Sequence, residues 1–295
     1  MANEAEYAGW TNRVAQAMFD TQRSLDSLSG HLGNDLGRAL DRRRDELDML
    51  RPGIRSLAAA EHDYDQAQGA AKDPARERIY STYRSYQSDA GLLSNQLGGI
   101  KAELAGHNEA LAQRAESLKD AMRDLDRIKE LPGRDTPELA KLREGVEYFR
   151  AVVNSVGPRV QAMVNEMQTA QQAARAFADG AASVGTQAHS ANIGRVVGQL
   201  EDSLAQTEAR GGALRKDLTD NRASFGLVTD YGVGIANRAT DERNLADKQA
   251  AQLADSMRAG VNPTRPADQR PVANLAESDL SRRLDGPAQE TGRTV

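Results

Sequence analysis

The sequence predicts an all-α protein: an elongated antiparallel bundle or coiled coil of about four long, kinked helices with a disordered C-terminal tail. Composition gives the first reason. Of 295 residues, 47 are Ala, whereas Leu, Ile, Val and Phe together supply 53, about 18%. That is near the ~20% level below which disorder is expected, but such disorder also needs a high net charge, and here the charge is only -5. The second reason is the scarcity of β-branched and aromatic residues, only 12 of the latter, which disfavours a sandwich, barrel or doubly wound sheet. The third is the spacing of the apolar residues that remain.

From Leu139, apolar residues recur at alternating steps of three and four: Leu139, Leu142, Val146, Phe149, Val153, Val156, Val160, Met163, Met167, Ala170, Ala174, Phe177, Ala181 and Val184. This is the narrow seam of a coiled coil or a long bundle helix, expected over about 136–184. A second seam, over about 74–131, runs Ile79, Tyr83, Tyr86, Ala90, Leu93, Leu97, Ile100, Leu104, Leu111, Leu118, Ala121, Leu125 and Ile128, with His107 and Arg114 as polar intrusions. Five of its leucines, from Leu97 to Leu125, are spaced by seven. Lys101 and Lys129 fall where a zipper prefers apolar groups, so closure within one chain is favoured over a dimeric zipper. At ~1.5 Å per residue this helix is about 87 Å long, and the expected object is a rod.

The first helix, expected over about 5–71, carries Tyr7, Trp10, Val14, Met18, Thr21, Leu25, Leu28, Leu32, Leu36, Leu40, Leu47, Leu50, Ile54 and Leu57, interrupted by Arg43. Its register continues past Pro52, as the third helix's does past Pro158, so each proline is read as a kink within a continuous helix. Gly30, Gly33 and Gly37 each cost about 1 kcal/mol of helix propensity there, which a close helix crossing or a local bend would offset. The true breaks have stop-and-restart grammar. Asp73-Pro74 reads as an N-cap and first-turn proline, and Leu131-Pro132-Gly133 leads into Asp135-Thr136-Pro137-Glu138. Such short connections fold neighbouring helices back antiparallel. The fourth helix, about 190–258, has a diluted seam of Ile193, Val197, Leu200, Leu204, Leu214, Leu218, Phe225 and Val228, and glycines place the third turn in 180–198. Residues 1–259 are thus the bundle. Residues 260–295, with Pro263, Pro266, Pro271 and Pro287 among small and charged residues, form an extended or disordered tail in which 273–284 is a helix formed on binding.

Composition also excludes function classes. Without Cys there is no disulfide, thiolate nucleophile or thiolate metal site. Mixed charge and a pI near 5.5 disfavour a broad nucleic-acid face. Neither a classical signal peptide nor an 18-residue apolar stretch is evident, so the expectation is a soluble chain, whether cytoplasmic, virion-associated or exported without a signal. His31, His62, His107 and His189 share no ligand spacing, and Glu61-His62-Asp63-Tyr64-Asp65 reads as a solvated charged face. Gly232-Val-Gly234 lacks the context of a nucleotide loop, and no phosphate loop or nucleophile elbow is present. Tyr80, Tyr83 and Tyr86 suggest base stacking but sit largely on the seam, and the aromatics of Tyr7, Trp10 and Phe19 read as the cap of a bundle end. The least charged stretch, 223–236, is read as a bundle helix, with a contact patch for another subunit or a membrane interface as the sharper alternative. No catalytic, cofactor-binding or metal-binding residue is nominated.

Leu142-Arg143-Glu144-Gly145-Val146-Glu147-Tyr148-Phe149 resembles a phrase near the end of the V domain in ALIX and Bro1 type adaptor proteins. The resemblance covers under a tenth of the chain. The ~90 helical residues after Gln171 have no place in that family's pattern, and its function is not carried over. In style, the Ala-, Gly- and Arg-rich helices are similar to internal or scaffolding proteins of phage particles and to exported bacterial helical proteins. The expected function is a non-enzymatic structural or assembly protein that binds other protein subunits, or its own copies, through its seams and tail. A membrane-surface or curvature-binding rod is the alternative.

Overall fold

The computed structural model describes residues 2–179 and 189–258. Helix α1 (Ala2–His31) passes through one π-helical turn, Leu32–Leu36, into α2 (Gly37–Gln66); a 3-10 turn at Gly69–Ala71 leads to α3 (Lys72–Glu130), followed by α4 (Pro137–Asp179) and α5 (His189–Arg258). No strand occurs among the described residues. The first expected helix is therefore α1, the π turn and α2 in series, ending at Gln66 rather than near residue 71. By contacts the chain divides into two units, Met1–Asn244 and Leu245–Val295. Of the second unit, residues 245–258 are helical, none of 245–257 is buried, and Leu245, Leu253 and Met257 are exposed. The 260–295 tail lies outside the described residues, as do Ala181, Val184 and the rest of 180–188.

Pro52 and Pro158 both lie inside continuous helices, as the unbroken registers require. Gly53 follows Pro52 for a steric reason: a Cβ there would sit 2.2 Å from the ring of Tyr86. Asp73 does not cap α3. Gly69 adopts a left-handed φ of 56° and opens the 3-10 turn, in which the backbone N–H of Ala71 donates to Gln68 O and that of Lys72 to Gly69 O. Donors that an N-cap side chain would satisfy are thus supplied by the preceding turn. The next restart is as expected. Gly133 turns the chain at φ 74°, Pro137 opens α4, and Thr136 Oγ1 accepts the N–H of Leu139 at 3.3 Å. Of the 180–198 stretch where the third turn is expected, 180–188 lies outside the described residues, and α5 already begins at His189 and contains Gly194 and Gly198.

The helices of the first unit alternate in direction around a shared core. Numbers rise along α1 and α2 as they fall along α3 in the pairs Arg13–Asp124, Asp20–Arg114 and His31–His107. The same inversion relates α3 to α4 through Asp126–Arg143, Asn108–Gln161 and Lys101–Gln171. It relates α4 to α5 through Glu138–Arg238, Arg159–Asp217 and Glu166–Arg210. Finally α5 returns along the first helix through Thr240–Asn12, Arg222–Asp26, Glu208–Arg44 and Glu201–Arg51. This is an up-down-up-down four-helix bundle.

Its core is the seams. Every seam residue from Leu139 to Phe177 is buried, and so is the second seam, with Tyr86 half-buried. The polar intrusions find answers across the core: His107 meets His31, and Arg114 bonds Asp20. Arg43 pairs instead along its own helix with Glu46 at 3.0 Å. Helix α5 has the weakest seam, and Arg–carboxylate pairs on three neighbours supplement it. At ~0.2–1 kcal/mol each, such exposed pairs specify register more than they stabilise. Gly211 adds a close approach, since a Cβ there would come within 3.0 Å of Leu36 Cδ2.

Candidate functional site

Three features of the first unit present chemistry at the surface, and each is built from the packing just described. Between α3 and α4 lies a polar groove of about 660 Å³, lined by Ser94, Asn95, Lys101, Gln168, Gln171 and neighbouring residues. It exists because Gly98 leaves room for Gln171; a Cβ there would fall 2.5 Å from Gln171 Nε2. Gln171 is tied from both sides, its backbone carbonyl accepting from Ser94 Oγ at 3.2 Å and its Oε1 from Lys101 Nζ at 2.8 Å. The groove's polar groups thus serve one another across the helix pair.

The second feature is a buried carboxylate at the α1–α3 surface. Asp124 accepts two bonds from Arg13, at 2.8 and 3.1 Å, and one from Arg127 at 3.1 Å. Its hydrogen bond to Arg13 holds that guanidinium's pKa above the usual value. With its oxygens engaged by Arg13 of α1 and Arg127 of α3, Asp124 is a tie between helices.

The third is an apolar groove of about 430 Å³ between α4 and α5, lined by Lys141, Glu144, Gly145, Tyr148, Leu227, Val228 and Tyr231. Its floor depends on Gly145, where a Cβ would meet Val228 Cγ1 at 2.9 Å and Met18 Cε at 3.2 Å. Beneath it Tyr148, Phe149 and Phe225 form a ring cluster with centroids 5.8 to 6.0 Å apart. At its rim Leu227 is 73% exposed, and Val233 is exposed further along α5. The 223–236 stretch is therefore helical and two-sided. Phe225, Thr229, Gly232, Ile235 and Ala236 face the core, while Ala223, Leu227, Asp230 and Val233 face outward. Gly232 is needed for packing, with Met18 Sδ 3.1 Å from where its Cβ would be, whereas nothing lies within 4 Å of the corresponding points at Gly212, Gly226 and Gly234.

The structure brings together two of the four histidines. His31 and His107, 76 residues apart in sequence, meet with ring centroids 4.9 Å apart. His62 is exposed, and His189 opens α5. Glu61 corrects the solvated-face reading. It is buried beside Tyr83, whose phenol pKa is pushed up to about 12 by burial first and by the Glu61 charge second. Helix α2 turns Glu61 toward α3 on the same side as Leu57, and only His62, Asp63 and Asp65 remain exposed. Tyr83 is core, packed on Phe177 at 6.2 Å, so the tyrosines of 80–86 offer no stacking platform. At the bundle end Tyr7 lies under the Arg134 guanidinium at 3.9 Å and Trp10 packs on the core, as capping aromatics do, but Phe19 points outward. Among the described residues no group of three or more His, Asp or Glu could hold a metal ion, and no helix is long and apolar enough to cross a membrane.

No protein family, curated protein or solved structure matches this chain. Beside the α4–α5 groove, the outer face of α5 leaves the side chains of Leu227 and Val233 exposed.

Proposed function

We propose that this chain is a non-enzymatic helical assembly protein whose partner is another protein subunit, a second copy of the same chain, docked along the outer face of α5. The long seams that the sequence offered for binding are consumed in the chain's own core, so an assembly contact has to lie elsewhere. What carries the reading is the self-complementarity of one outward line on α5, exposed along its length and half-buried at Gly234: Gly212, Lys216, Thr219, Ala223, Leu227, Asp230 and Gly234. Two copies crossing antiparallel about Ala223 set Lys216 against Asp230 twice, because each lies seven residues from the centre. Leu227 then faces the smaller Thr219, and Gly212 faces Gly234. Neither Lys216 nor Asp230 forms an ion pair among the described residues, and the two glycines have nothing within 4 Å of a Cβ position. A C2 contact of this kind is isologous, which is the commonest symmetry of soluble oligomers.

Light scattering over a concentration series tests it. The expected mass rises from 31.9 kDa at low concentration to about twice that value. Lys216→Glu raises the dissociation constant at least tenfold, and adding Asp230→Lys restores pairing. A mass of one protomer at every concentration, or a double variant no better than the single one, overturns the proposal.

A further inference from the structure

At the contact between His31 and His107 two imidazole rings meet in the bundle's apolar seam. His31 is the last residue of α1, and its side chain is 11% exposed. Its Nε2 is buried without a hydrogen-bond partner, and its Nδ1 lies 3.9 Å from Glu103 Oε2. His107 comes from the middle of α3, half-buried, with the rings tilted by 39°. Immediately after His31 the helix widens into the π turn Leu32–Leu36, whose i→i+5 bonds interrupt the α-helical ladder and which contains Gly33. A ring pair that holds α1 to α3 thus adjoins the weakest turn of the first helix.

The charged surroundings are sparse. From α3, Glu103 is mostly exposed, and Arg114, one heptad on, is already bonded to Asp20 of α1. From α5, the Arg215 guanidinium lies against Gly33, within 2.7 Å of a Cβ position there. From α4, the neighbour of this layer is the uncharged Gln161, bonded to Asn108. On His107, Glu103 favours a proton and its exposure weakens it, while burial and the second ring oppose one.

We infer that the His31–His107 contact is a proton-operated joint: with His107 neutral the ring contact holds α1 to α3, and protonation of His107 in mild acid loosens the bundle locally at the π turn. The direction agrees with the electrostatics. His107 is held below its ordinary pKa of 6.5, by burial first and by His31 second, with Glu103 acting the other way. A histidine whose folded pKa is depressed leaves stability intact above the unfolded value near 6.5. Stability is lost as the pH falls from there toward the folded value, and the loss levels off beneath it. A bundle built this way responds to acidification at one layer before its carboxylates titrate.

Amide hydrogen exchange of the full chain at pH 7.5 and 5.0, corrected for intrinsic exchange rates, reads the joint directly. Protection in 25–40 and 100–112 is expected to fall at least tenfold at pH 5.0, while 150–165 changes less than twofold. In His107→Phe, which keeps a ring against His31 but cannot be charged, the fall shrinks to under threefold. An equal fall in that variant, a uniform fall along the chain, or no fall in the native protein overturns the inference. Should His107→Phe not fold, His107→Gln replaces it. NMR titration of the native chain provides an independent reading: a His107 midpoint below 6.5 supports the joint, and one at or above 6.5 overturns it.

Discussion

Replacing Phe225 by Ala tests whether α5 is an integral wall of the bundle or a helix laid against a three-helix core. Phe225 is 2% exposed and touches the rings of Phe149 and Tyr148 on α4 at 5.8 and 6.0 Å. Removing a buried Phe costs about 3–5 kcal/mol through lost transfer energy and the cavity left behind, and these ring contacts place Phe225 at the upper end of that range. Two residues along, Leu227 is 73% exposed, so its truncation changes stability by no more than about 0.5 kcal/mol. Urea unfolding, followed by circular dichroism at a concentration where the protein is monomeric, separates the two. With a slope of about 3 kcal/mol per molar for a chain of this size, Phe225→Ala lowers the midpoint by roughly 1.3–1.7 M and Leu227→Ala by less than about 0.2 M. Equal midpoints for the two variants, or a Phe225→Ala shift under about 0.3 M, would refute the assignment of α5 to the core.

Further predictions follow from single contacts. Gly145→Ala is destabilising by about 1–2 kcal/mol in thermal melts because its Cβ meets Val228 and Met18, whereas Gly226→Ala and Gly234→Ala, with open space around them, each stabilise by up to about 1 kcal/mol. Asp124→Ala strands two guanidinium groups and costs about 1–3 kcal/mol, while Arg127→Ala leaves the bidentate Arg13 in place and costs under about 1 kcal/mol; urea midpoints of the two variants give the comparison. Tyr83 has a folded pKa raised above the ordinary 10 to about 12, so the neutral phenol's contribution is complete below pH 10 and is lost as the pH rises toward 12. Ultraviolet phenolate titration should show Tyr83 among the late phenols, beside Tyr7 and Tyr231, which burial also raises, and Tyr83→Phe should remove one late phenol and flatten the alkaline stability slope.

Much of this architecture is legible in the sequence because burial in a helical bundle imposes a period that a reader can count. The seam from Leu139 to Phe177 is buried without exception, and Pro52 and Pro158 keep the phase on both sides of the ring, so neither is a loop. Boundaries were less legible where backbone conformation did the work of a side chain. A left-handed Gly69 and its 3-10 turn begin α3, which leaves Asp73 without the role its neighbour Pro74 suggests. The π turn was visible only as glycines of unexplained cost.

Sites depend on which residues meet across helices, and single-chain periodicity carries little of that. His107 and Arg114 look like isolated defects until α1 supplies His31 and Asp20 opposite them. A signal was present, since the antiparallel fold-back expected of a short α2–α3 connection places His31 level with His107. Glu61 reads as solvated because it stands in a polar run with His62, Asp63 and Asp65, although it shares a helix face with Leu57. The outer face of α5 was picked out by low charge alone, and only its geometry separates Gly232, packed on Met18, from Gly226 and Gly234, packed on nothing.

The central claim is that the four apolar seams close on one another within a single chain. The absence of native Cys makes a direct measurement simple: introduce cysteines at Arg51 and Glu201, which are salt-bridged partners on α2 and α5, and treat the dilute protein with a short bis-maleimide. Closure within the chain predicts a bridged product of one-protomer mass in which the peptides around 51 and 201 are linked, formed at a rate independent of protein concentration. Linkage found only between chains, at a rate that rises with concentration, would contradict the account.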